Sequence, residues 1–444
     1  HKGCKVRARV PFIKTLASAI TIGTGGSAGR EGPIAQIGSG FSALLADRLK
    51  LGARERRILF LAGMAGGVGA IFHAPIAGAL FSAEVLYRDL DFEYEAIIPS
   101  AVSSIIAYSL FSLVYGWEPL FVTPNFVFNN PKKLVPFMGL AVVLALAAIL
   151  YVRVFYGVRK LFAKLHIPDM WKPAIGGLLV GVVGFFIPEA LGTGYGPVQQ
   201  AMFASAAAGT LFLIAMAKIL TTGLTVGSGG SGGVFGPAIA IGGGVGGSVG
   251  LLVSKYLPWF EVNPGAFVVV GMAGFFAAAA NAPISTIIMV SEMTGNYHLL
   301  VPALWVCVIA YLLARKHALY EKQVPSRFDS PVHREGMLEA FLKHFPVRTI
   351  VRRPGVLARG PKVKPEARLE LLLKRRGIMD APLVAVTDRR GRLLGILLPR
   401  EARRALDTAL RTPVVREVMR PPLAVGFEDT MEVALALMHE HRLE

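Results

Sequence analysis

Over the first 320 positions apolar residues run in long, nearly unbroken blocks; after that they are short and separated by charge. A helix needs about 20 apolar residues to cross a bilayer. Ala96–Tyr115, Leu134–Val154, Trp171–Ile187, Leu211–Val226 and Leu299–Leu313 come to or near that length. Pro33–Leu45, Ile58–Phe72, Ala74–Leu86, Gly236–Val253, Ala266–Ala280 and Ala282–Met293 are shorter, or broken by glycine and proline. Because they lie between full spans, they predict half-helices at membrane depth lining a protected cavity.

Composition supports a membrane chain. Of 444 residues 53% are hydrophobic and 17% charged, against about 25% charged in soluble proteins. That excludes a disordered chain, a fibrous repeat and an ordinary soluble enzyme. The charge is uneven: 36 of the first 320 residues are Asp, Glu, Lys or Arg, but 40 of the last 124. An apolar part therefore precedes a soluble tail. Both are basic, and the net charge of +18 divides as +10 and +8. With no nucleic-acid motif present, this suits a cytoplasmic face beside anionic lipid. Basic clusters at Arg48–Arg57, Arg153–Lys164 and Arg315–Lys316 are expected inside, and the Trp259 loop at 256–264 outside. Cys4 and Cys307 offer neither a disulfide framework nor a metal spacing. His1 and the stop at Glu444 read as the interior of a longer protein.

The apolar part repeats itself. Gly23–Pro33 (GTGGSAGREGP) aligns with Gly227–Pro237 (GSGGSGGVFGP) at an offset of 204. Gly63–Gly66 aligns with Gly271–Gly274, Ala74–Ile76 with Ala282–Ile284, and Glu84 with Glu292, all at 208. Ile106–Tyr108 aligns with Ile309–Tyr311 at 203. One glycine block leads towards the basic loop at 48–57, the other towards the loop at 256–264, so the copies have opposite orientations. Such an inverted repeat puts a substrate site at the bilayer midplane between the copies.

Each glycine block ends in Gly-Pro and enters an apolar helix. First-turn N–H groups have no helical partner, proline is favoured there, and glycine leaves the backbone uncovered. Two such N-termini aimed at one point make a positive pocket without side-chain charge, suited to a small anion. Close helix packing alone would also use glycine. Glu31 sits inside the first block, where a carboxylate is costly. It can occupy an anion pocket as a mimic and leave on protonation, which makes it a gate; Arg30 beside it could instead simply neutralise it. The aligned residue of the second copy is Phe235, an apolar wall.

At these residues the sequence resembles the CLC family of chloride channels and chloride/proton exchangers. Gly29-Arg30-Glu31-Gly32-Pro33 matches its Gly-Arg/Lys-Glu-Gly-Pro motif, and Gly233-Val234-Phe235-Gly236-Pro237 its Gly-x-Phe-x-Pro motif. The resemblance covers about residues 10–324. It implies an all-α polytopic fold with broken half-helices, a homodimer with one pore per subunit in the bilayer, and chloride as the transported ion. It also implies that Glu31 gates, that Arg30, Gly32, Val234 and Phe235 surround chloride, and that Tyr320 hydrogen-bonds it from the inner side; an interfacial role for Tyr320 is the alternative. Two departures matter. The family's Gly-Ser-Gly-x-Pro motif, with its chloride-coordinating serine, is expected before residue 1. The exchangers' inner proton-relay glutamate falls at Val85, which cannot carry a proton, so the chain reads as a gated channel, with an exchanger as the alternative. Glu84 is a possible substitute, but lies about 100° around the helix and suits an i,i+4 pair with Arg88. His73 and Asn281, each before Ala-Pro, suit helix capping.

After Pro346 the pattern predicts a helix over Pro365–Arg376, strands over Ala381–Val386 and Leu393–Leu397 around a turn at Asp388–Gly391, and a helix over Arg400–Leu410. The order restarts at Val418, with Met431–His441 as a helix. This α+β pattern resembles a CBS pair: a membrane part at 1–324, a linker at 325–346, a first module at 347–412 and the start of a second at 413–444. Some such pairs bind adenosine nucleotides; no phosphate loop is visible, so a purely structural tail is the other reading. No other cofactor, no metal and no enzymatic activity are expected. A CBS-bearing magnesium channel would need a carboxylate-lined pore, which the glycine blocks do not supply.

Overall fold

The computed structural model describes residues 4, 6–330, 333, 342, 345–349 and 361–440, except 382, 409–410, 423–424 and 427. The linker expected at 325–346, and the end of the last expected helix, fall partly outside them. The chain divides into two compact units, His1–Val332 and His333–Glu444.

The first unit is helical and its helix boundaries repeat. α1 (Val10–Gly23), α2 (Glu31–Arg48), α3 (Ala53–Phe72), α4 (Pro75–Glu84) and α5 (Tyr94–Tyr115) make the first copy. α6 (Leu134–Lys164), α7 (Lys172–Phe186) and α8 (Tyr195–Met202) intervene. α9 (Ala208–Gly227), α10 (Phe235–Tyr256), α11 (Pro264–Ala280), α12 (Pro283–Thr294) and α13 (Leu300–Ala314) make the second. α1 and α9 end, and α2 and α10 begin, 204 residues apart; α3 and α11 end, and α4 and α12 begin, 208 apart. α1 and α8 were not expected: α1 carries Lys14 and α8 spans eight residues, both poor hydropathy signals.

α11 is apolar on every side, and Gly265–Ala280 is buried throughout, the behaviour of a helix at the centre of a bundle. α5, α6, α9 and α10 are long and apolar enough to cross a membrane. α5 leaves Ile98, Val102, Ile106, Leu110, Leu113 and Val114 exposed, a face suited to lipid. Ion pairs draw the first two basic clusters to the segment at 321–327, which follows the third. Arg57 reaches Glu93 and Glu95 at 3.3 Å, Arg327 reaches Glu95 at 3.4 Å, and Arg159 reaches Glu321 at 3.5 Å.

α3 and α11 both end on a left-handed residue, His73 (φ 53°) and Asn281 (φ 55°). The expected capping is thus at the C-terminus of the helix before, not the N-terminus of the helix after; asparagine is at home in that conformation.

In the second unit, β1 (Lys362–Val363) runs parallel to β2 (Val384–Thr387), which pairs antiparallel with β3 (Leu393–Leu397). Val363, Leu369, Leu372, Val384, Val386, Leu397, Ala402 and Val415 form its core. The helix expected over Pro365–Arg376 is two short ones, Leu369–Leu373 and Arg376–Met379. Its first turn is diverted: Val415 N–H and Arg416 N–H donate to Ala367 and Pro365 carbonyls at 3.0 Å. Pro399–Thr408 and Met431–Glu440 are helices.

Candidate functional site

The two glycine blocks meet. Gly29 and Gly233 are equivalent positions of the repeat, and they exchange both backbone hydrogen bonds, N–H to O=C, at 2.7 Å. A residue paired with its own repeat equivalent lies on the pseudo-two-fold axis, so α2 and α10 begin on either side of that axis. Glycine is required here. A Cβ on Gly233 would sit 2.8 Å from the Gly32 nitrogen, and one on Gly32 would sit 3.0 Å from Gly233 Cα. The close packing weighed for these glycines and the convergence of helix N-termini are therefore one feature.

Glu31 is 2% exposed and turns across the axis. Its Oε2 accepts the Gly236 N–H, a first-turn donor of α10, at 3.2 Å. The carboxylate thus occupies the N-terminus of the opposite repeat as an anion would. Its Oε1 accepts a short hydrogen bond from the Tyr195 hydroxyl. A cavity of about 480 Å³ opens beside it, lined among others by Gly32, Val234, Phe235, Tyr320, Val85 and Lys322. Of the candidate residues read from the sequence, Glu31, Gly32, Val85, Val234, Phe235 and Tyr320 line this one cavity. Arg30 is different: its backbone begins α2, its side chain is exposed, and it does not line the cavity.

Repeat symmetry breaks at the site. Where the first copy has Glu31, the second has Phe235, whose ring lies 3.7 Å from Phe276 and 4.4 Å from Phe72, centroid to centroid. One wall is chargeable and the other is a packed aromatic cluster.

Glu84 does not pair with Arg88. α4 ends at Glu84, and its carboxylate accepts the N–H groups of Ile284 at 3.0 Å and Ser285 at 2.7 Å, capping α12. Glu292, its repeat equivalent, accepts those of Ile76 at 3.2 Å and Ala77 at 2.8 Å, capping α4. The copies cap each other's helices across the axis, and Glu84 faces a helix end rather than the cavity.

Two functional candidates escaped the sequence reading. Tyr195 lies 164 residues from Glu31, and no local pattern joins them. Lys218 is 1% exposed, in the middle of α9, and its Nζ donates to the carbonyls of Ala190, Leu191 and Gly192 at 3.2, 2.9 and 2.8 Å. A lone lysine within an apolar span was a readable signal, since intramembrane charge is costly without partners.

Comparisons with known proteins agree on this architecture. A ClcB-like protein of Ralstonia nicotianae is 30% identical over 311 residues, 69% of this chain and 72% of that protein. A protein of Vibrio cholerae named H+/Cl− exchange transporter ClcA is 30% identical over 312 residues, 69% of this chain and 67% of that protein. The crystal structure of a slow cyanobacterial Cl−/H+ antiporter superposes with a TM-score of 0.64 at 23% identity, covering 76% of this chain and 77% of the other, a likeness of fold. The exchanger names favour the alternative set beside the channel reading. The family model for voltage-gated chloride channels matches residues 1–315, and with these relatives it shows that the chain is an integral membrane protein of the CLC family.

Proposed function

We propose that this protein carries chloride across a membrane in exchange for protons, with Glu31 as both the competing anion and the proton acceptor. The observation that carries the reading is the seat of Glu31, a carboxylate on the Gly236 N–H beside a cavity. Chloride and the carboxylate compete for the same donors; protonation removes the charge, and the neutral side chain yields the site to chloride. Val234, Phe235 and Tyr320 line the remainder of that site, in a homodimer with one pore per subunit. The end that gathers the basic clusters faces the cytoplasm, where the tail serves as a CBS-type module with adenosine nucleotide as its candidate ligand.

A proton must also reach Glu31 from the inner side, past Val85. The cavity that both residues line holds about 480 Å³, room for roughly 16 waters at ~30 Å³ each. A water chain there is the proposed inner path, in place of a side-chain relay. Val85 itself favours the second reading, passive conduction, because it carries no proton. The test is purified protein in liposomes under an outward chloride gradient, with external pH recorded. Sustained uphill proton movement, lost in Glu31→Ala, supports exchange; chloride efflux with no proton movement establishes the channel.

A further inference from the structure

The segment that brings Tyr195 to Glu31 is built around buried polar groups. Lys218 gathers three successive carbonyls, at 190–192, and the Thr221 hydroxyl adds a bond to Ala190 at 3.0 Å. The chain then turns through Gly194 at φ 87°, where a Cβ would press against Lys218 Cε at 2.8 Å and Ala240 Cβ at 2.7 Å. α8 begins on the next residue, Tyr195. Its ring packs edge-on against Phe121, with centroids 5.4 Å apart, and Gln199 pins that neighbouring segment by accepting from Val122 N–H at 3.0 Å and donating to Val122 O at 2.6 Å. The ring is therefore clamped with its hydroxyl on the Glu31 carboxylate.

We propose that Tyr195 is a positioning residue for the gate, a latch whose hydroxyl holds the Glu31 carboxylate in its seat. The proposal rests on Glu31 being the gate. A phenol donor favours the carboxylate over the neutral acid, so it delays unseating as protons become available. The other charged or titratable groups facing this site are Arg30 on the same turn, Lys14 on α1, and Tyr320 and Lys322 around the cavity; α10 presents only backbone. Among the described residues, Tyr195 is the one side chain that hydrogen-bonds Glu31.

The experiment is chloride flux against pH in liposomes for the parent, Tyr195→Phe, Glu31→Gln and the double variant. Phenylalanine keeps the ring against Phe121 and deletes the donor. Without the donor Glu31 is protonated more readily, so the pH of half-maximal flux moves up by about one unit, the worth of one hydrogen bond to a charged group. At low pH, where Glu31 is neutral in both proteins, Tyr195→Phe and parent fluxes should coincide, which controls for folding. In the Glu31→Gln background, Tyr195→Phe should change nothing. If Glu31→Gln flattens the profile while Tyr195→Phe leaves the midpoint in place, the latch is refuted and the gate stands. A Tyr195→Phe flux depressed at all pH values, with no shift in midpoint, also refutes the latch in favour of a packing role. If Glu31→Gln keeps the parent profile, the gate itself fails.

Discussion

Replacing Glu84 separates a structural carboxylate from a proton relay. Glu84 is fully buried and satisfies two first-turn N–H groups of α12, at 3.0 and 2.7 Å. Glu84→Ala strands both donors. Each buried donor left without a partner costs about 1–3 kcal/mol, so the loss should be roughly 3 kcal/mol or more, to which the vacated volume adds. Glu84→Gln keeps one acceptor, without its charge assistance, and turns an NH2 group on the other N–H, which it leaves without a partner; its loss should be roughly 2 kcal/mol. Glu292 provides the internal comparison. Its bonds are 3.2 and 2.8 Å and it is 9% exposed against 0% for Glu84, so Glu292→Ala should cost somewhat less. Thermal unfolding in detergent, followed by the surviving monodisperse fraction, should rank parent, Glu84→Gln, Glu292→Ala and Glu84→Ala from most to least stable. In liposomes Glu84→Gln should retain both chloride flux and its proton coupling. A stable Glu84→Gln protein that moves chloride without protons would refute the assignment and make Glu84 a relay. So would a Glu84→Ala protein as stable as the parent.

Glu31→Gln should carry chloride with a flat pH dependence, because the amide mimics the protonated acid; abolished flux with intact chloride binding would contradict the gate. Gly32→Val and Gly236→Val place a Cβ 3.0 Å from Gly233 Cα and 3.0 Å from the Glu31 carboxylate, and should lower chloride affinity measured by calorimetry at least tenfold. Lys218→Met should lower the unfolding temperature by several degrees, because three carbonyls lose their donor; an unchanged midpoint would mean that the loop at 190–192 holds itself.

Much of the site could be read along the chain because an inverted repeat leaves a nearly constant offset, 203 to 208 residues here, and such an offset pairs positions in space. The alignment pairs Gly29 with Gly233, which bond each other, and Glu84 with Glu292, which cap each other's repeat. What could not be read is which donor each carboxylate meets. The i,i+4 expectation for Glu84 and Arg88 uses only local helix geometry, while its partners lie 200 and 201 residues on. The Tyr195 contact is equally remote. Short helices and short strands were lost for another reason. α8 and β1 are too brief to show a period, and the first turn of the helix expected at Pro365 was captured by the 413–416 segment, a tertiary choice that propensity does not record.

The clasp between the copies bears on how access can alternate. Transporters with inverted repeats commonly rock one half against the other. Here that movement would tear the Gly29–Gly233 pair, at 2.7 Å in both directions, and pull both carboxylate caps from their helices, at about 1.5–3 kcal/mol for each bond to a charged group. On the proposed function the repeats stay one riveted frame, and switching falls to what the frame leaves loose: the Glu31 side chain and the ion that takes its place. A chemical crosslink between α2 and α10 should then leave turnover intact; a crosslink there that stops turnover would show that the repeats move against each other.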